Sequence, residues 1–374
     1  MRFPEFTEVW KDSNIGKCFD LYSGNTPSRM EKKHFIGDVN WITSGELKEH
    51  YIGDTKERIS EKAAEDNNLR ILPVGTFVMA IYGLEAEGVR GTCSITVKTS
   101  TISQACMAFT PKSNVSNEFL YSWYKKHGNK IGIRYAQGTK QQNLSYDIIE
   151  KFPIRYPSIE EQEKLNTFIS LLDKRIATQN KIIEDLKKLK VAIRDKQLNA
   201  IRKHYGLNYQ ICDLLDYEQP TKYVVTDSEY SEDRSKTPVL TANKAFILGY
   251  TNETFGVYDK GKCIILDDFT LDCKYVDFPF KVKSSAIKIL TVKNGYSLRY
   301  VYEYLNYLNL ETTEHKRHYI SEIEPMMIAY PTDKKKIDDF NNMMSSLESK
   351  IEIENKYLQS LLVQKSYLLS NMFI

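Results

Sequence analysis

The chain has 374 residues, a 41% hydrophobic and 12% aromatic share, and a formal net charge of only +3. That length suggests two or three domains, and that apolar content builds ordinary cores, which excludes a disordered chain. Near-balanced charge neither demands nor excludes a nucleic-acid partner, because a basic surface could still be local. No stretch approaches the roughly 18 uninterrupted apolar residues of a membrane span, and Met1–Glu5 lacks the basic-then-apolar run of a signal peptide. Cys18, Cys93, Cys106, Cys212, Cys263 and Cys273 form no C-x-x-C pair, which argues against zinc and disulfides and for reduced thiols in a cytoplasmic protein.

In chain order, residues 1–155 carry short apolar runs broken by Gly, Asn and Pro. Residues 71–75 and 76–82 read as strands and Glu118–Lys126 as a helix, which makes a mixed α/β module. Residues 156–204 change character. Leu165, Phe168, Leu172, Ile176, Ile183, Leu186, Ile193 and Leu198 fall at helical spacings on one stripe. Ser158 with Glu161 three residues on predicts a capping box. Residues 205–329 return to short runs, with strands predicted at Cys263–Leu266 and Ile287–Val292 and a helix at Ser297–Leu308. Residues 330–374 again carry a stripe, through Ile337, Phe340, Met343, Leu347, Ile351, Leu358, Leu361, Leu368 and Met372, with Thr332 or Asp333 as its cap.

The second half therefore repeats the first. Tyr156-Pro157 matches Tyr330-Pro331; after a one-residue shift Ile176, Asn180, Lys181, Leu186 and Lys190 match Ile351, Asn355, Lys356, Leu361 and Lys365. The loops before the helices, Thr139–Ser145 and His315–Ser321, also line up. Over roughly 40 residues each, the helices would reach about 60 Å at 1.5 Å per residue, and two narrow stripes suggest a coiled-coil pair.

Catalytic patterns are absent or fail in context. Residues 256–262 spell G-x-x-x-x-G-K, but Cys263 follows where a phosphate loop needs Ser or Thr, and a strand follows where it needs a helix. Asp267 with Asp272-Cys273-Lys274 resembles a nuclease metal pattern, yet in a chain with 27% charged residues a polar loop explains it. The six histidines are scattered, apart from His315 and His318, and no N/D-P-P-Y/F motif for holding a flipped base is present. A doubled architecture without a catalytic constellation points to a binder.

Specific segments carry a resemblance. Residues 23–29 (S-G-N-T-P-S-R), 36–47 (I-G-D-V-N-W-I-T-S-G-E-L), 138–145 (G-T-K-Q-Q-N-L-S) and 152–162 (F-P-I-R-Y-P-S-I-E-E-Q) are similar to motifs of the specificity subunits of type I restriction–modification systems. The second module departs, with Thr237–Lys244 and Asp267-Asp268-Phe269 resembling another subtype of recognition domain. The resemblance implies an α+β chain: target-recognition domains at 1–155 and 205–329, spacer helices at 156–204 and 330–374 pairing antiparallel, and an internal pseudo-two-fold repeat. It implies double-stranded DNA, two methyltransferase subunits and restriction subunits as partners. S-adenosylmethionine, ATP and Mg would be bound by those partners, with no cofactor or metal in this chain. A coiled-coil scaffold whose modules bind protein is the alternative the residues leave open.

Phosphates attract Lys, Arg, Ser, Thr and backbone N–H, whereas base edges suit bidentate Arg, Asn and Gln. The DNA-contact candidates in module one are Thr26, Ser28, Arg29, Thr43, Ser44, Tyr82, Arg90, Thr139, Lys140, Gln141, Gln142 and Asn143. In module two they are Thr241, Asn243, Lys244, Lys274, Lys316, Arg317, His318 and Tyr319. Helix pairing is assigned to Leu172, Ile176, Ile183, Leu186, Leu347, Ile351, Leu358 and Leu361, with Asn180 and Asn355 as a register-setting polar pair.

Overall fold

The computed structural model describes residues 2–85, 88–138, 142–242, 245–312 and 316–373. They form two compact units, residues 1–179 with 357–374, and residues 180–356.

Unit 1 opens with β1 (Lys11–Asn14), α1 (Ile15–Cys18) and β2 (Phe19–Ser23). Next come β3 (Val39–Ile42), β4 (Tyr51–Ile52), β5 (Arg58–Ile59), α2 (Glu61–Asp66), β6 (Phe77–Ala80), β7 (Cys93–Thr96), β8 (Ser100–Ile102) and β9 (Cys106–Pro111). It continues through α3 (Asn117–Tyr135), α4 (Tyr146–Glu150), β10 (Pro153–Tyr156) and the first part of α5 (Ile159–Tyr205). One sheet runs β2-β9-β6-β7-β4, a second runs β5-β3-β8, and β1 pairs antiparallel with β10. Every residue of β6 is buried, as a continuous apolar run in mid-sheet requires.

Unit 2 carries β11 (Tyr209–Gln210), α6 (Ile211–Leu214), β12 (Leu215–Glu218), β13 (Thr237–Leu240), β14 (Ile247–Thr251), β15 (Cys263–Asp267), β16 (Cys273–Val276), β17 (Lys281–Val282) and β18 (Ile287–Val292). Then follow α7 (Leu298–Leu308), β19 (Met327–Ile328) and α8 (Lys334–Met372), which runs on into unit 1. Its sheets run β12-β18-β15-β16 and β14-β13-β17, with β11 on β19. This repeats the topology of unit 1 without a counterpart of β4: β13 lies parallel to β17 as β3 lies parallel to β8. Ser297 caps α7 by accepting from the Tyr300 N–H, as Ser116 caps α3 by accepting from the Phe119 N–H. The second module thus departs in sequence and not in fold.

The helices run antiparallel inside each unit. In unit 1, Leu165, Ile169 and Leu172 of α5 share a buried cluster with Leu361, Leu368 and Met372 of α8, and Asp173 pairs with Lys365. In unit 2 the cluster joins Leu198 and Ile201 to Ile337, Phe340 and Met344, and Lys190 approaches Glu348 at 3.5 Å. Each fully buried Leu or Ile contributes about 1.5–3 kcal/mol.

Four expectations need correction. Residues 71–75 form no strand. Pro73 has no N–H, Gly75 takes φ +84°, and only Leu72 makes an isolated bridge, to Ser100. The helix predicted to end at Lys126 continues to Tyr135, because its glycines serve packing: a Cβ on Gly128 would lie 2.9 Å from the Gly91 Cα. The capping box is half made. Ser158 Oγ accepts from the Glu161 N–H at 3.4 Å, but the Glu161 carboxylate takes Arg2 instead. Asn180 is exposed and Asn355 donates back to Ile351 O at 2.8 Å, so no buried Asn pair sets the register; the buried polar residue of this stretch is Gln179.

Candidate nucleic-acid interface

Backbone hydrogen bonds bring several of the described candidates to one end of each module. In module one, Ser103 N–H donates to Ile42 O at 2.9 Å, Ile81 N–H to Ala105 O at 2.9 Å and Leu144 N–H to Ile81 O at 2.9 Å. These rungs set Thr43, Tyr82 and Gln142 beside the same strand ends. In module two, Lys283 N–H donates to Leu240 O at 3.0 Å, Asp268 N–H to Ala286 O at 2.8 Å and His318 N–H to Asp268 O at 3.0 Å. Rung for rung, Thr241 matches Thr43, Asp268 matches Ile81, and His318 matches Leu144.

That match corrects the loop alignment by two residues. Lys316 and Arg317 stand where Gln142 and Asn143 stand, and both are exposed. His318 and Tyr319 stand at Leu144 and Ser145. They are 2% and 1% exposed and belong to the framework. His318 is held by Thr312 Oγ1 at 2.8 Å and the Glu322 carboxylate at 2.9 Å, and Tyr319 meets Tyr217 edge-on.

In module one the loops bearing Arg90 and Gln142 are tied together. Arg90 Nη2 donates to Gln142 Oε1 at 2.6 Å, and the Gln142 N–H donates to the Glu85 carboxylate at 2.8 Å. That N–H holds the Glu85 carboxyl below the usual range. Asn143 and Gln137 exchange backbone hydrogen bonds, leaving Asn143 Oδ1 buried without a partner. Thr43 is committed to its local turn, its N–H and hydroxyl both on Glu46; Thr26 N–H bonds Asn25 Oδ1, Ser28 is exposed and Ser44 half-buried. Arg29 is not free: Glu57 engages its guanidinium at two points, 2.5 and 2.9 Å, and it lies over Phe35 and Trp41. A DNA contact by Arg29 requires that pair to open. Trp41 itself is buried. Thr139, Lys140, Gln141, Asn243 and Lys244 lie outside the described residues.

In module two, Thr241 is buried with its N–H on Phe246 O, and Lys274 is half-buried on β16. The acidic pair that resembled a metal motif is structural. Asp267 caps its turn by accepting from the Phe269 and Thr270 N–H groups. Asp268 pairs with buried Lys288 at 3.4 Å and accepts from the His318 and Tyr319 N–H groups. Among the described residues no group of three or more His, Cys, Asp or Glu could hold a metal ion. Residues 256–262 lead into β15 and not into a helix, so they make no phosphate loop. Burial pushes the Cys93, Cys106, Cys263 and Cys273 thiols up to about 12, which leaves them unreactive.

Two features escaped sequence reasoning. Lys283, exposed and one rung from Thr241, lies 42 positions away from it in sequence, so only the β13–β17 pairing reveals it. The joints between modules and helices are the other. Asn166 of α5 donates to Ser116 Oγ at 3.3 Å, and Asn341 of α8 donates to Ser297 Oγ at 2.9 Å. The Ser116 N–H goes to Gln162 Oε1, whereas the Ser297 N–H goes to Tyr330 Oη.

Residues 7–188 match the family described as "Type I restriction modification DNA specificity domain". Those residues, module one with much of α5, therefore carry a type I restriction–modification DNA specificity domain. Over 125 residues it is 50% identical to the EcoR124I/EcoR124II specificity subunit of Escherichia coli, covering 32% of this chain and 31% of that protein. Over 308 residues it is 27% identical to the MjaIX specificity subunit of Methanocaldococcus jannaschii, covering 80% and 68% of the two chains. Its fold is that of the S subunit from M. genitalium, with a TM-score of 0.57 at 16% identity over 100% and 99% of the chains. The family match ends within α5, and module two repeats the topology of the matched module. No helix among the described residues is long and apolar enough to cross a membrane.

Proposed function

We propose that this specificity subunit reads a split, asymmetric DNA site, one half per module, and does no chemistry itself. The supporting observation is one fold used twice with different groups at matched loop positions: Gln142 and Asn143 in module one, Lys316 and Arg317 in module two. A shared scaffold presents the strand ends alike, and unlike side chains there select unlike half-sites. The antiparallel helices carry the modules and set the length of the unread spacer. The same helices dock two methyltransferase subunits, and restriction subunits join that complex. S-adenosylmethionine, ATP and Mg are then bound by those partners and not by this chain.

The test is a methylome of cells carrying this chain with its methyltransferase. The expected motif is split, with two different halves. A continuous motif overturns the two-module reading. Binding of the purified complex should also weaken steeply with salt as phosphate counterions are released; no duplex preference at low salt removes DNA reading altogether.

A further inference from the structure

The first residues of the chain cover the start of α5. Arg2 makes a two-point ion pair with Glu161 at 2.7 and 2.6 Å, Glu5 pairs with Lys164, and Phe3 meets Phe168 edge-on at 6.0 Å. The Lys164 ammonium also lies 4.7 Å from the Phe3 ring centroid, and the Glu161 side chain is 1% exposed. A basic–aromatic–x–acidic segment, Arg2-Phe3-Pro4-Glu5, thus sits on a seat of an acid, a base and an apolar floor.

The register fixed by the Asn166 and Asn341 joints places the same seat on α8. There Lys336 replaces Glu161, Asp339 replaces Lys164, Phe340 replaces Leu165 and Met343 replaces Phe168. Lys336 and Asp339 are exposed, and with Phe340, Met343, Ile201 and His204 they line a groove of about 470 Å³ inside unit 2. The Lys336 ammonium stands at its rim, 5.1 Å from the Tyr205 ring. The floor remains apolar, but the order of charges is reversed.

We propose that this groove docks a segment of a different polypeptide whose charges invert those of the chain's own tail: an acidic residue, an aromatic one beside it, and a basic residue two further on. The acid meets Lys336, the base meets Asp339, and the ring enters between Phe340 and Met343. A second copy's tail is disfavoured, because Arg2 would face Lys336 and Glu5 would face Asp339. This docking does not depend on what the modules read.

The test uses the full chain and two synthetic probes, E-F-P-R-F and its charge-exchanged counterpart R-F-P-E-F, each with a benzophenone on the last ring. The expected result is cross-linking of the first probe at Met343, favoured about tenfold over the second, as two exposed ion pairs allow. In K336E/D339K, which alters two exposed side chains, the preference should reverse. Equal or absent labelling of α8 by both probes, or a preference the double variant leaves unchanged, overturns the proposal. Stronger labelling by R-F-P-E-F overturns it in favour of a second copy of this chain.

Discussion

Removing Asp268 tests how the loop that ends at Tyr319 in module two is held. Asp268 and Lys288 are each 1% exposed and lie 3.4 Å apart. Asp268→Ala leaves the Lys288 ammonium buried without a counter-charge, and breaking such a pair from one side costs about 3–5 kcal/mol. It also removes the acceptor that the Tyr319 N–H holds at 2.7 Å, while the His318 N–H keeps the backbone carbonyl of residue 268. The matched positions in module one are Ile81 and Met107, both buried and apolar. The double variant D268I/K288M therefore installs the solution module one already uses. Exchanging a whole buried pair for apolar side chains is neutral or gains about 1–4 kcal/mol. The orphaned Tyr319 N–H costs about 1–3 kcal/mol in return. The double variant should lie within about 3 kcal/mol of the parent and be more stable than the single variant. Because the chain has two units, stability is best read locally, by hydrogen exchange of β15 and residues 316–323 against urea. If the double variant exchanges there as fast as Asp268→Ala, the pair is not what its burial implies.

Three further outcomes are expected. Lys316→Ala and Arg317→Ala should each weaken duplex binding and make the salt dependence shallower by about one charge, leaving hydrogen exchange of module two unchanged; His318→Ala should do the opposite, loosening the module because its ring is buried. Burial holds the His127 imidazole down at about 4, assisted by Lys126 and Lys130, and its Nε2 has no partner. The neutral form is the folded one, so unit 1 should be at full stability above the ordinary value of 6.5 and lose stability as pH falls toward 4; His127→Phe should flatten that limb in pH-dependent unfolding. Asn341→Ala should cost about 0.5–1.5 kcal/mol through the lost Ser297 contact and relax discrimination between duplexes of different spacer length, with Asn166→Ala acting alike; unchanged spacer preference in both would limit the joint to stability.

The long helices were legible because their signal is periodic and extends over many turns. Leu172, Ile183 and Leu361 are buried, and Ile176, Leu186, Leu347, Ile351 and Leu358 are half-buried. The polar residue of the seam was not legible at the level of one position: Asn180 and Gln179 are neighbours, and a rotation of about 100° per residue separates buried from exposed. Short strands were readable where apolar runs are buried on both faces, as in β6 and β15. They were not at residues 71–75, where Pro73 and Gly75 break a run of the right composition. The candidate contact surface was the least legible part. Lys140–Asn143 and Lys316–Tyr319 look equally polar, yet a two-residue offset decides whether a ring faces solvent or the core, and only the rungs to Ile81 and Asp268 reveal that offset.

The contrast between those rungs also explains how two loops can diverge on one scaffold. The loop of module one is anchored through Ile81, whose backbone carbonyl alone holds Leu144. The loop of module two is anchored through Asp268, whose carbonyl holds His318 while its carboxylate takes the next N–H and a buried lysine. The backbone contact is the same, so the loops leave the sheet at the same point. The side-chain contact differs, so each module stabilises a different sequence beyond it. The Asn166 and Asn341 joints lie on the helix side of both modules, away from that change, and they keep one chemistry. Exchange of this loop is thereby uncoupled from the attachment of the module. A chimera carrying residues 137–144 of module one in place of 311–318, together with D268I/K288M, should therefore fold, whereas the same graft with Asp268 and Lys288 retained should not. Failure of both grafts would mean the anchoring residues do not suffice to define the loop.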